Sequence, residues 1–208
     1  MAFGFWLLPF FSCASRVPRA FGPLREVTVI TDHWQDVGKT VEAIFTRQIP
    51  TPQPEPEFLL RVGTTEKFSA YSKLRLLLLI GTAQESLFQK ILREKLDSLP
   101  DGEFGLFLLP NAWVDNQWVL LFIAKDPDRL AAGIKLYSQR LHQTITEKVL
   151  EQLTRATYQR GIDSKLTNFL KVRFGWQIDV PVKWLLQEKD SSSRFVYIFN
   201  HFPDRSVF

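Results

Sequence analysis

Three groups of residues have the types and spacing from which chemistry can be built. Asp32, His33 and Asp36 set two carboxylates around an imidazole. Such a trio can orient a general base, as in a hydrolase-type enzyme. It also stands where a helix begins, and there acids satisfy free amides and favour the helix dipole. The capping reading accounts for all three residues. Trp113, Gln117 and Trp118 form a second group, two aromatic side chains around an amide, and are candidate binders of a small ligand or glycan, with Trp176 a further aromatic candidate. Gly38-Lys39-Thr40 has the ending of a phosphate-binding loop, but "TDHWQD" upstream lacks the glycine that such a loop needs.

The chain's single cysteine, Cys13, follows an uncharged apolar run, Ala2 to Phe11, and a small residue, Ser12. That plan suits a lipoprotein-type signal over residues 1–12, with Cys13 as the thiol that takes the lipid. The run is too short to span a bilayer as a helix. The alternative is a buried free thiol in an apolar N-terminal helix. Residues 13–25, polar and proline-containing, read as a tether and favour lipidation. Cys13 then implies a cell-envelope protein held to a membrane and facing the periplasm. Ala14-Ser15-Arg16 carry no acid, which points to the outer membrane. No zinc spacing, serine elbow or cofactor motif is visible, so neither metal nor cofactor is expected. The net charge of +4 comes from interspersed Lys, Arg, Asp and Glu, without a basic helix or stacking motif, so nucleic acid is not an expected partner.

These residues must be positioned by recognisable elements. "EVTVITD" alternates as a strand does, and Trp34, Val37, Val41, Ile44 and Phe45 recur at helical spacing. Asp32 caps that helix in this reading, with Gln35 in capping-box position. "LRLLLLIG" is apolar throughout and predicts a central strand covered on both faces. "EFGLFLLP" and "WVLLFIAK" predict two further strands. From Asp126 to about Gln159 apolar residues recur every three or four positions, predicting one long helix ended by Gly161. The fold class is α+β, with a mainly antiparallel sheet and helices on one face over residues 26–160. A smaller α/β-hairpin unit over 161–208 follows.

The Ser12-Cys13 pair, "REVTVITDHW", "FSAYSKLRLLLLI", "NAWVDNQWVLLFIA" and "SKLTNFLKVRFGWQIDVPVKW" followed by "FVYIF" resemble a family of Bacteroidota lipoproteins, catalogued as domain of unknown function 4837. Trp113 and Gln117 are its most distinctive pair. The resemblance implies a secreted, lipidated protein without an established activity. It also implies a C-terminal unit shorter than usual, in which "FVYIF" lacks a strand neighbour. The expected function is a non-enzymatic scaffold or binding role in the envelope, with a protein or glycan partner.

Overall fold

The computed structural model describes residues 17–50, 53–95, 103–188, 196–201 and 204–207. The chain divides into two compact units, residues 1–144 and 145–208. The overall class is α+β, as expected.

In the first unit, β1 (Glu26–Ile30) leads into α1 (Trp34–Phe45). A two-residue hairpin, β2 (Gln48–Ile49) with β3 (Glu55–Pro56), precedes β4 (Leu59–Gly63). The short α2 (Phe68–Tyr71) leads to β5 (Leu76–Thr82), and α3 (Ser86–Lys95) follows. Then come β6 (Phe104–Pro110), β7 (Trp118–Ala124) and α4 (Pro127–Leu136). The next helix, α5 (Ser138–Thr157), is separated from α4 only by Tyr137. The single long helix of the sequence reading is thus two. Tyr137 packs its ring edge-on against Phe104 and Phe122 at the break.

The five-stranded sheet has the order β4-β1-β5-β7-β6. β1 pairs in parallel with β4 and β5, and β5 in parallel with β7. Only the β6–β7 hairpin is antiparallel. The expectation of a mainly antiparallel sheet is therefore corrected for this unit. Apolar alternation reports burial and not strand direction, and here helical crossovers return the chain in parallel. β5 is buried at all seven positions, as a central strand covered on both faces must be.

Helices cover both faces rather than one. Leu77, Leu79, Leu121 and Ile123 pack with Phe88, Ile91 and Leu92 of α3, and Phe68 and Tyr71 of α2 rest on the same cluster. The alternate side of β7 meets the other layer. A Cβ at Gly133 of α4 would lie 2.8 Å from Phe122, and α1 packs against α4 on that side.

The segment expected as a free tether is docked from Pro18 onward. Ala20 N donates to Asp115 O (2.8 Å), Asp115 N to Pro18 O (2.9 Å) and Arg75 N to Phe21 O (3.0 Å). Cys13 and the apolar run before it lie outside the described residues. Among the described residues no helix is long and apolar enough to cross a membrane.

In the second unit, α6 (Ser164–Phe174) starts at Asp163, whose carboxylate accepts from Lys165 N and Leu166 N, and ends at Gly175 with φ 76°. A three-stranded antiparallel sheet follows, β8 (Leu185–Glu188), β9 (Val196–His201) and β10 (Asp204–Val207), with β9 in the centre. The Val196–Phe199 part of "FVYIF" therefore has strand neighbours on both sides, against the expectation of a missing one. Leu170 of α6 is fully buried with Val180, Val196 and Ile198.

Candidate functional site

Three parallel strands end side by side, and the turns after them are tied together by polar side chains. After β1, Thr31 is buried and its Oγ1 accepts from His33 N (3.1 Å). Asp32 does not cap α1. Its carboxylate accepts instead from Thr65 N (3.0 Å) and from the Thr65 hydroxyl, in the turn after β4. The capping reading of Asp32 and Gln35 is thereby corrected. His33 holds the N-cap position and makes no side-chain cap.

His33 reaches the third strand end. Its Nε2 lies 3.0 Å from Glu85 Oε1, just past β5, and its Nδ1 lies 4.0 Å from Asp36 Oδ2. The same Glu85 oxygen accepts from Thr82 N (2.6 Å) and Thr82 Oγ1 (3.0 Å), while Oε2 is buried without a hydrogen-bond partner. Sequence reasoning passed over Glu85. The signal available for it was the Thr-x-x-Glu pattern at residues 82–85, in which the glutamate folds back on the threonine amide.

The place of this pairing follows from topology. β1 passes the chain to α1 on one face of the sheet, and β5 passes it to α3 on the other. Between two such strands the loops diverge, and ligands of parallel sheets collect at that carboxyl edge. The His33–Glu85 pair spans this point. Beside it, over the ends of β1 and β4, lies a cleft of 480 Å³ lined by Asp32, Trp34, Asp36, Lys67 and Tyr71 among others. Its walls offer carboxylate acceptors, an ammonium donor and two aromatic side chains.

The phosphate-loop ending, discounted in the sequence for want of an upstream glycine, is helical here. Gly38-Lys39-Thr40 lies within α1, and a Cβ on Gly38 would approach the Trp34 indole to 2.8 Å. Gly38 thus makes room for a cleft wall.

Trp113 and Gln117 lie at the other end of the sheet, just ahead of β7, and Trp118 is the first residue of β7. Gln117 is 1% exposed. Its amide nitrogen donates to Ser72 O (2.7 Å) and Leu74 O (2.8 Å), and its oxygen accepts from Trp113 N (3.1 Å). The side chain is thus engaged with backbone at both ends of its amide. Trp113 packs edge-on against Phe68 at 5.0 Å, and Trp118 is half-buried. Trp176, 38% exposed, belongs to the second unit.

His142 pairs with Glu57 (2.8 Å) and abuts the Phe58 ring. Arg61 on β4 grips both carboxylate oxygens of Glu26 on β1 (2.9 and 3.1 Å), and this hydrogen bonding, with the adjacent charge, raises the guanidinium pKa. Burial lowers that of Arg75. No three His, Cys, Asp or Glu side chains among the described residues converge as a metal set.

The first unit is thus a mixed-sheet α+β domain whose strand-end cleft gathers polar and aromatic side chains. The chain belongs to the family described as domain of unknown function DUF8532, whose model matches residues 20–158. This overturns the resemblance to the Bacteroidota lipoprotein family, a different one. No curated protein and no solved structure matches the chain.

Proposed function

We propose that the first unit binds a small hydroxyl-rich molecule, of the sugar or polyol class, in the carboxyl-edge cleft. The observation that carries this is the gathering of Asp32, Asp36 and Lys67 with Trp34 and Tyr71 in one cleft lining, beside the His33–Glu85 pair at the β1/β5 switch point. Carboxylates accept hydroxyl hydrogen bonds, Lys67 donates one, and the apolar faces of a sugar ring suit aromatic walls. The glycan-binding idea first attached to Trp113, Gln117 and Trp118 therefore moves to the opposite edge of the sheet. A hydrolase built on Asp32, His33 and Asp36 is the weaker reading, because Asp32 is committed to Thr65 and His33 to Glu85. A panel of monosaccharides and short oligosaccharides, screened by thermal shift and followed by titration calorimetry, tests the proposal. A hit whose affinity falls at least about tenfold in Asp36→Ala and Trp34→Leu supports it, a loss of about 1.4 kcal/mol. A hit insensitive to both but lost in Trp113→Leu would return the site to the other edge.

The sequence supports a second, separate reading of location. The apolar run Ala2 to Phe11, followed by Ser12 and the lone Cys13, is the observation behind a lipid-anchored, periplasm-facing protein acting as a scaffold or binding module of the envelope. Intact-mass measurement of protein from its native membrane fraction is the test. A diacylglyceryl mass on Cys13 is expected, and an unmodified chain still starting at Met1 would remove the reading.

A further inference from the structure

Helix α6 has two unlike faces. Leu166, Leu170 and Phe174 turn inward to Val180, Val196 and Ile198. On a helix with 3.6 residues per turn, Lys165, Asn168, Phe169 and Val172 share the opposite face. Lys171 flanks that face on one side and Arg173 on the other. Val172 is 79% exposed and Phe169 41%. Just past the helix the exposed Trp176 lies against Phe174 with its ring tilted, centroids 5.4 Å apart, and Phe174 meets Phe169 at 6.2 Å.

Helix energetics do not account for this face. Lys171 and Arg173 suit the carbonyls of the last turn, but Lys165 sits in the first turn, where the dipole disfavours a cation. Apolar side chains as exposed as Val172 gain nothing from water, and contiguous ones mark a surface that meets something. Between its flanking residues the helix carries three cations, Lys165, Lys171 and Arg173, and no acid. The complement is a surface that is apolar within and negative at its boundary. We propose that the outer face of α6, with Trp176, docks onto an anionic lipid bilayer surface. Phe169, Val172 and Trp176 enter the interface, and Lys165 and Lys171 meet the phosphate headgroups, while Arg173 lies over the Phe174 ring. This site is separate from the strand-end cleft and does not depend on Cys13.

Flotation of the full chain carrying Cys13→Ala, which excludes an acyl anchor, tests the proposal. The probes are vesicles of phosphatidylcholine alone and of phosphatidylcholine with phosphatidylglycerol. Preferential flotation with the phosphatidylglycerol vesicles is expected, weakening with added salt. Val172→Asp or Phe169→Asp should lower partitioning at least about tenfold, because a charge replaces an inserted side chain. Lys165→Gln and Lys171→Gln should each lower it about fivefold. Unchanged circular dichroism in these surface variants confirms that the fold is kept, and Leu136→Asp, exposed in the other unit, should leave flotation unchanged. Equal binding to both vesicle types, or flotation indifferent to Val172→Asp, would overturn the proposal by assigning any binding to another segment. So would a lipid-free dimer that Val172→Asp turns into monomer, since the face would then serve a second copy of the chain.

Discussion

Gln117 shows how one buried side chain can hold a loop. Its amide ties the Asn111–Gln117 turn to the backbone at Ser72 and Leu74, just ahead of the central strand. Removing it leaves two carbonyls and one amide without partners in a buried place. Gln117→Ala should therefore cost about 2–4 kcal/mol in urea unfolding. A loss under about 0.5 kcal/mol would mean that water replaces the amide easily. Gln117→Glu keeps the acceptor for Trp113 but loses both donors, and should be at least as damaging. Gln117 was legible in the sequence as distinctive, but not as structural. A glutamine beside two tryptophans looks the same whether it holds a ligand or a loop, and only its distant partners decide.

Elements with strong local signals were readable. The apolar run of β5 and the stripe of α1 each follow from short-range rules. Strand direction was not readable, because it is set by crossovers such as α1 and α3 that carry no mark of which way the sheet grows. Half of the candidate site was legible for the same reason. Asp32, His33 and Asp36 are neighbours in the chain, whereas Glu85, the partner of His33, is 52 residues away. Within α5, Lys148 offers an element-scale test. Its hydrogen bond to Glu151 raises the ammonium pKa, with Glu147 adding to the effect. A cation with a raised folded-state pKa contributes stability that is fully present below its unfolded value and is lost as pH rises through the folded one. Lys148→Met should thus lower the unfolding free energy in urea slightly near pH 8, by about 0.3–0.5 kcal/mol, and the difference should shrink as pH rises past the ordinary lysine range. A gap that widens with alkalinity would contradict this account.

For the whole molecule, the family match ends at residue 158, where α5 has just finished, although the compact units divide at Thr144. The recurring unit therefore includes the entire helix. A chain ending at Gln159 should unfold cooperatively and keep dispersed amide resonances for His33 and Glu85. A broad, non-cooperative melt would show that residues beyond 159 are needed to complete it. The strand order has a consequence for biosynthesis. β1 is made before the other strands of its sheet, yet it lies inside the sheet, between β4 and β5. As the ribosome releases the chain from its amino end, Val27, Val29 and Ile30 wait for residues near Leu79 before both flanks are covered. β5 in turn waits for β7. The most apolar strands are thus the ones left unpaired longest during translation, and slow synthesis between residues 82 and 118 would prolong the interval in which a nascent chain attracts chaperones or aggregates.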